Sequence, residues 1–202
     1  MLKAHNLACV RGGRTVFAGI EFSLEQGDVL SLHGPNGSGK STLIRVLAAF
    51  LTPTMGEITW AGTDIRSSLA EHRARLHYVG HADGIKALLS VRENLAFTCA
   101  LNGAANGTLD RALQTFGLEH LVETPGRFLS SGQRRRLSLA RLVAGDRPIW
   151  LLDEPGVGLD VENRARLEGA IDRHRKGGGI AIVATHGDVR ITDTRILELS
   201  GS

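Results

Sequence analysis

The spacing of hydrophobic and polar residues along the chain predicts alternating strands and helices. Short apolar or alternating segments predict strands at Arg14–Leu24, Val29–His33, Glu57–Trp60, Leu76–Val79, Ile149–Leu152, Ile180–Thr185 and Ile196–Leu199. Apolar residues that recur every three or four positions predict helices at Lys40–Leu51, Val91–Asn102, Leu109–Phe116, Gly132–Val143 and Val161–Lys176. This alternation is typical of an α/β fold in which helices cover a parallel core sheet, and we expect some antiparallel strands near the N-terminus.

Strand patterns are absent between Gly84 and Val143. We therefore expect a helical subdomain, over approximately residues 84–143, inserted into the α/β core. With 202 residues the chain is long enough to bury a substantial core, and we expect residues 1–202 to form a single domain.

Composition and charge narrow the class of protein only slightly. Hydrophobic residues make up 42% of the chain and charged residues 22%, which is ordinary for a globular protein. The net charge of +3 permits contact with nucleic acid or an anionic membrane but requires neither. The sequence has neither an apolar run near the roughly 18 residues that cross a bilayer nor a signal peptide, so we expect a cytoplasmic location.

Two further features indicate no special chemistry. The basic triplet Arg134–Arg136 would spread over more than half of a helix circumference, so we expect these side chains to be solvated or to face a second copy of the chain. Aromatic residues do not interleave with the triplet, and we expect no nucleic-acid partner. Cys9 and Cys99 lie far apart and form no C-x-x-C pair, so the sequence indicates neither a disulfide nor a zinc site.

A phosphate-binding loop is the clearest chemical motif. The run from Gly34 to Ser41, GPNGSGKS, matches G-x-x-x-x-G-K-[ST] between a predicted strand and a predicted helix. Its glycines let backbone N–H groups approach a polyphosphate, and the helix N-terminus adds free donors and its dipole. We expect Lys40 to reach the β- and γ-phosphates of a nucleoside triphosphate and Ser41 to bind Mg²⁺. The predicted nucleotide-binding residues here are Gly34, Pro35, Asn36, Gly37, Ser38, Gly39, Lys40, Ser41 and Thr42.

The apolar segment Ile149–Leu152 is followed by two adjacent carboxylates, Asp153 and Glu154. Buried strands rarely carry acids, so this pair requires a reason. In a protein with a phosphate-binding loop, we expect Asp153 to hold Mg²⁺, directly or through water. We expect Glu154 to orient and polarise the water that attacks the γ-phosphate.

A second candidate anion site lies at another helix start. The segment Leu129–Gln133 reads LSSGQ, and hydroxyl residues with a glycine at a helix start provide anion-binding donors. It resembles the signature L-S-G-G-Q of the ATP-binding-cassette (ABC) ATPases, with Ser131 in place of one glycine. Gly158–Asp160 resembles the D-loop of that family, and Thr185-His186 resembles its switch histidine. The resemblance covers essentially the whole chain, and the motifs occur in the order of the family.

The resemblance to ABC ATPases implies a P-loop NTPase fold with a RecA-like parallel core sheet. It also implies a head-to-tail homodimer that holds two ATP molecules between its subunits. For each ATP, one subunit would contribute Lys40, Ser41, Asp153, Glu154 and His186, of which Lys40, Glu154 and His186 would act in catalysis. The other subunit would contribute Ser130, Gly132 and Gln133. Transmembrane permease subunits would be further partners, so the chain would work peripherally at the cytoplasmic face of the bacterial inner membrane.

Two positions depart from the pattern of the family. The aromatic residue that stacks on adenine lies a set distance before the glycine equivalent to Gly27, and that position holds Arg11. A guanidinium plane can stack on a base, so Arg11 is our expected adenine contact; a solvated turn arginine and a contact through Phe17 are the alternatives. The glutamine expected before Ser90 is replaced by His81, for which we expect a water-mediated contact to Mg²⁺.

A short sequence segment narrows the resemblance to one group within the ABC ATPases. Residues 78–86 read YVGHADGIK and are followed by LSVRENL, which is similar to the ATP-binding subunit of the haem exporter of bacterial cytochrome c maturation. This implies that ATP binding and hydrolysis drive haem transport or the release of haem from a chaperone. The alternatives are a small ABC transporter with another cargo and a soluble ABC ATPase that acts on ribosomes or DNA. Proteins of the last kind usually carry two cassettes or a long coiled-coil insertion, and this chain has neither.

Overall fold

The computed structural model describes residues 1–200, which form two sheets and surrounding helices. The strands are β1 (Leu2–Arg11), β2 (Arg14–Leu24), β3 (Val29–His33), β4 (Met55–Trp60), β5 (Thr63–Asp64), β6 (Leu76–Val79), β7 (Ile149–Asp153), β8 (Ile180–Ala184) and β9 (Arg195–Glu198). The α-helices are α1 (Lys40–Leu47), α2 (Leu69–Ala74), α3 (Val91–Asn102), α4 (Thr108–Phe116), α5 (Ser131–Ala140) and α6 (Val161–Lys176).

The central sheet is parallel and has the strand order β6-β7-β8-β3-β9. Every residue of β7 and β8 is buried, which explains why these strands appear in the sequence as unbroken apolar runs. The predicted parallel core sheet is confirmed. Because β7, β8 and β3 are neighbours, the loops that follow their carboxyl ends lie together at one edge of this sheet.

The second sheet is antiparallel, has the order β2-β1-β4-β5 and confirms the antiparallel strands expected near the N-terminus. The sequence pattern did not predict β1, because its alternation is interrupted around Asn6. That residue has a φ of 47°, and the pairing with β2 shifts register between Ala4 and Leu7. Gly56 of β4 lies so close to the carbonyl groups of His5 and Asn6 that a Cβ there would collide with them.

Several helix bounds differ from the sequence prediction. Helix α1 stops short of the predicted end at Leu51, because Ala49 has a left-handed φ of 56°. Helix α2 was not predicted; it is short, and the side chain of Ser68 caps its N-terminus. The predicted helix Gly132–Val143 is α5 followed by a 3₁₀ turn at Arg141–Val143. None of the helices within residues 1–200 has the length and apolar composition needed to span a membrane.

Two hydrophobic clusters lie on the two faces of the parallel sheet. Along β7, Trp150 and Leu152 belong to one cluster, and Ile149 and Leu151 belong to the other, as the strand pleat requires. The first cluster also contains side chains of α3, α4, α5 and α6, and the second contains side chains of α1 and the antiparallel sheet. Residues 84–143 thus supply helices to the first cluster, and their treatment as a separate subdomain remains a prediction.

Candidate active site

The phosphate-binding loop connects β3 to α1 and contains several residues with positive φ. Gly37 and Gly39 have φ values of 82° and 97°, and Gly39 is the N-cap residue of α1. A Cβ at Gly34, whose φ is 141°, would collide with the backbone oxygen of Leu199. Glycine at these positions therefore allows a narrow turn that presents backbone N–H groups at the start of the helix.

Lys40 and Ser38 place polar groups inside this loop. The Lys40 side chain is buried, and its Nζ donates hydrogen bonds to the backbone oxygens of Gly34 at 2.7 Å and Pro35 at 3.1 Å. Because an ammonium group has three donors, one remains for a phosphate oxygen. The hydroxyl of Ser38 is buried and lacks a hydrogen-bond partner in the described chain. An unsatisfied donor beside a buried cation fits a loop that binds an anion.

Ser41 and Asp153 meet beside the loop although they are distant in the sequence. The Oγ of Ser41 donates to Oδ1 of Asp153 at 2.8 Å, and Asp153 is buried at the end of β7. Mg²⁺ prefers oxygen ligands, and two ligands at adjacent corners of its octahedron lie roughly 2.9 Å apart. These two oxygens therefore fit a magnesium site in which phosphate oxygens and water complete the coordination.

Glu154 lies immediately beyond β7 and approaches His186, which follows β8. The backbone N–H of Glu154 donates to the oxygen of Ala184 at 3.0 Å, and its φ is 49°. Oε1 of Glu154 lies 3.2 Å from Nε2 of His186. The buried Thr185 fixes the loop that carries His186, since its hydroxyl donates to the Asp188 carboxylate at 2.7 Å. A carboxylate and an imidazole are thus held together at the same edge as the phosphate-binding loop.

The LSSGQ segment forms the start of α5 and lines a different pocket. Ser130 and Gln133 make a capping box, in which each side chain accepts a hydrogen bond from the backbone N–H of the other residue. Gly132 leaves this pocket open beside the Gly158 oxygen. Asp160 lines the same pocket, and the hydrogen bond from the backbone N–H of Asn163 holds the pKa of its carboxyl below the usual value. Residues 34–42 do not line this pocket.

Arg11 and His81, the two residues that depart from the family pattern, both lie at the surface. Arg11 is exposed at the tip of the β1–β2 hairpin and pairs across the turn with Arg14. Phe17 belongs to the hydrophobic core, and both Phe17 and its neighbour Val16 lie against Gly39 of the phosphate-binding loop, so strand β2 of this hairpin lies beside the loop. His81 is exposed in the bend that follows β6.

The site also contains a residue whose role the sequence analysis missed. Arg135 was expected to be solvated or to face a second subunit, but it is buried. Its guanidinium group contacts the backbone on both sides of Glu154, with Nη2 donating to the Glu154 oxygen at 2.7 Å. A buried position on an amphipathic helix was the only available signal, and the run of three arginines concealed it.

Comparison with known proteins identifies the family and the individual proteins that this chain resembles. A family model described as ABC transporter matches residues 17–157. The "cytochrome c biogenesis ATP-binding export protein CcmA" of Rhodospirillum rubrum is 49% identical over 194 residues, which are 96% of this chain and 83% of that protein. The protein of the same name from Bradyrhizobium diazoefficiens is 44% identical over 200 residues, which are 99% of this chain and 98% of that protein.

Solved structures show the same fold. A dimeric post-hydrolysis state of the ATP-binding cassette MJ0796, bound to ADP and Pi, has a TM-score of 0.86 at 23% identity and covers 100% of this chain and 97% of that chain. A protein called cbiO1 from Clostridium perfringens, part of an ABC transporter complex, has a TM-score of 0.77 at 27% identity and covers 93% of this chain and 79% of that chain. The fold predicted from the sequence is confirmed.

Proposed function

The chain belongs to the ABC transporter family as an ATP-binding, ATP-hydrolysing subunit, and from this premise we propose that it serves cytochrome c biogenesis with haem as the cargo. ATP hydrolysis would drive haem transport or the release of haem from a chaperone. The names of the two bacterial relatives support the process, and the local string at residues 78–86 supports the cargo.

The Ser41–Asp153 and Glu154–His186 contacts carry the catalytic part of this proposal, because they join four chemically matched side chains at one sheet edge. Lys40 and the N–H groups of the loop bind the phosphates of ATP. Ser41 and Asp153 hold Mg²⁺, which supplies positive charge to the phosphate oxygens when it is bound. Glu154 orients the attacking water and accepts its proton, and His186 holds the Glu154 carboxylate in position and contacts the γ-phosphate.

Two exposed residues complete the proposed site within one subunit. Arg11 stacks on the adenine ring, which is supported by the position of the β1–β2 hairpin next to Gly39. His81 contacts the hydrated Mg²⁺ and links the nucleotide state to the membrane partner. A neutral imidazole is a poorer magnesium ligand than an amide oxygen, which favours slow basal hydrolysis.

The chain acts as a head-to-tail homodimer in this proposal. The LSSGQ pocket is separate from the phosphate-binding loop of its own chain, which supports its use by the ATP of a second copy. In that arrangement Ser130, Gly132 and Gln133 of one copy contact the ATP bound by the other. The γ-phosphate would then hold the two copies together, and hydrolysis would release them.

The complete assembly includes transmembrane permease subunits, and the chain binds them at the cytoplasmic face of the bacterial inner membrane, where ATP is supplied. Nucleic acid is not a partner in this proposal. All three guanidinium groups of the triplet Arg134–Arg136 donate hydrogen bonds to backbone oxygens, so the triplet does not present a free basic surface.

The function is tested by replacing the chromosomal gene with one that encodes Lys40→Ala. We expect loss of covalent haem from periplasmic c-type cytochromes while the apo-cytochromes are still exported. Arg45→Ala is the matched control, because Arg45 is a cation on the same helix but its side chain is exposed. Unchanged cytochromes in the Lys40→Ala strain would leave an ABC ATPase with another cargo. Copurification of Lys40-dependent ATPase with ribosomes or DNA would instead indicate a soluble, non-transport protein.

A further inference from the structure

The side chain of Arg135 joins three parts of the molecule through a single guanidinium group. Its Nε donates to the Pro155 oxygen at 3.3 Å, and its Nη2 donates to the oxygens of Glu154 at 2.7 Å and Asp153 at 3.4 Å. Its Nη1 donates to the Gly80 oxygen at 2.9 Å. All three nitrogen atoms are therefore bonded to backbone oxygens outside α5.

This arrangement requires the shape of an arginine. A buried cation is costly unless it is paired and its donors are satisfied. Here the charge is offset by the Asp83 carboxylate, 3.5 Å from Nη1, and by backbone oxygens that lie around the plane of the group. A lysine has a single nitrogen at the end of a flexible stem, so it cannot reach the oxygens of Gly80, Glu154 and Pro155 together.

The backbone that Arg135 holds is in an unusual conformation. Glu154 has a left-handed φ of 49°, which is uncommon for residues other than glycine and persists when the surroundings stabilise it. The shortest hydrogen bond of Arg135 is to the carbonyl oxygen of this same residue. The guanidinium group therefore restrains the peptide that follows Glu154, and with it the direction of the carboxylate beside His186.

The same helix also holds the segment after β6. Arg135 bonds to Gly80 and pairs with Asp83, and Arg141, at the end of α5, donates to the oxygens of Asp83 and Gly84 at 3.3 Å each. Residues 80–84 are thus fixed to the helix at two points. One of these points, the guanidinium group of Arg135, also restrains Glu154.

We propose that Arg135 is a positioning residue for ATP hydrolysis, which holds the Glu154 backbone in its left-handed conformation and ties it to residues 80–84. The inference rests on the proposed role of Glu154 as the residue that orients water. It assigns Arg135 no contact with ATP. A change at Gly80 or Asp83, the two residues of this segment that Arg135 contacts, would then alter the rate of hydrolysis through Arg135 without altering the phosphate-binding loop.

The first test compares Arg135→Lys with wild type in the full-length chain. We expect kcat for ATP hydrolysis to fall roughly tenfold to a hundredfold, because a small misplacement of a catalytic group has an effect of this size. We expect KM for ATP to change by less than about twofold, because the ATP-binding residues are untouched. Arg166→Lys is the control: Arg166 also bonds to backbone oxygens and to one carboxylate, that of Glu162, but away from the site.

Hydrogen–deuterium exchange provides a readout that does not depend on activity. Arg135→Lys should increase exchange in peptides that cover residues 80–84 and 153–157, whereas Arg166→Lys should leave both unchanged. Asp83→Asn keeps the guanidinium group and removes only its charged partner, so it should increase exchange at 80–84 and lower kcat less. If Arg135→Lys fails to fold, Asp83→Asn tests the inference instead. Unchanged exchange at residues 80–84 and unchanged kcat in that variant would overturn it.

The outcomes separate this inference from the proposed function. If Lys40→Ala left ATPase activity unchanged, the proposed function would be wrong. The exchange data would still test whether Arg135 links residues 80–84 to residues 153–157. Lys40-dependent ATPase with unchanged kcat and exchange in folded Arg135→Lys would overturn the positioning role alone. A parallel loss of kcat and thermal stability that Arg166→Lys reproduces would indicate a purely structural role and would also overturn it.

Discussion

At the scale of single residues, Asp153 and Glu154 show how a local backbone change creates a site. Successive side chains on a regular strand point to opposite faces of the sheet, so two adjacent acids would not face the same ligand. Strand β7 ends at Asp153, and the positive φ of Glu154 turns the chain. Asp153 can then pair with Ser41 while Glu154 approaches His186. The sequence identified the acids, but the turn that separates their roles depends on tertiary contacts.

Arg135 shows the limit of residue-level prediction more clearly. The phosphate-binding loop is recognisable because its fixed spacing is local in the sequence. The partners of Arg135 come from the ends of β6 and β7, which are far from it in the chain. Only the parallel pairing of those strands brings Gly80 and Glu154 close enough for one guanidinium group to reach both.

Replacing Ser38 should have opposite effects on the stability of the chain and on its binding of ATP. Its buried hydroxyl has no partner in the described chain, and an unsatisfied buried group destabilises the folded state. Ser38→Ala should therefore raise the free energy of unfolding without nucleotide by about 1 kcal/mol and weaken ATP binding. Urea unfolding and titration with ATP measure the two quantities. Lower stability, or unchanged ATP affinity, would show that the hydroxyl does not serve the nucleotide.

At the scale of elements, several predicted bounds agree with the structure. They are those of β2, β3, β6, α3 and α6. Helices α3 and α6 each begin after a capping side chain, that of Ser90 or Asp160, and each ends before a glycine, and these are local signals in the sequence. Strand β1 was missed because a bulge at Asn6 breaks its alternation, and α2 because so short a helix has little periodicity.

Two half-buried histidines at the amino end of the central sheet predict a pH-dependent stability. Burial lowers the pKa of His77, on β6, and of His174, on α6, to about 4 each. His77 bonds to the Gly145 oxygen with Arg147 nearby, and His174 stacks on Trp150 at 4.0 Å. In the unfolded chain both have a pKa near 6.5, so at intermediate pH the unfolded state binds more protons than the folded state.

Stability should therefore be fully present above about pH 6.5 and should decrease as the pH falls toward about 4, by on the order of 3 kcal/mol for each histidine. Urea unfolding at about pH 7.5 and about pH 5 measures the difference. His77→Gln keeps an amide that can bond to the Gly145 oxygen but removes the titration, so it should reduce the difference. An unchanged difference in both His77→Gln and His174→Gln would show that other groups cause it.

At the scale of the whole molecule, the two candidate halves of the proposed nucleotide site do not meet within one chain. The phosphate-binding loop and the acids lie at the carboxyl edge of the parallel sheet, whereas Ser130 and Gln133 line a separate pocket at the start of α5. The fold could be predicted from the sequence because motif order and alternation agree. The pairing of two subunits is a relation between molecules, and it stays a prediction.

Mixed dimers test that pairing. In the first, one subunit carries Lys40→Ala and the other carries Ser130→Ala; in the second, one subunit carries both substitutions and the other is wild type. If each ATP uses the loop of one subunit and the LSSGQ segment of the other, the first dimer keeps one intact site and the second keeps none. We therefore expect ATPase activity in the first dimer to exceed that in the second, as measured on tagged, copurified heterodimers.

Ser90→Ala is the control that separates binding from helix capping. Ser90 caps α3 through a capping box with Glu93, as Ser130 caps α5 through one with Gln133, so each alanine substitution should lower stability by about 1 kcal/mol. Only Ser130→Ala should reduce hydrolysis at the loop of the other subunit, because only that hydroxyl lines the pocket at the start of α5. Higher activity in the second dimer than in the first would mean that each chain completes its own site. If Ser90→Ala lowers ATPase activity as much as Ser130→Ala does, lower helix stability alone would explain the loss.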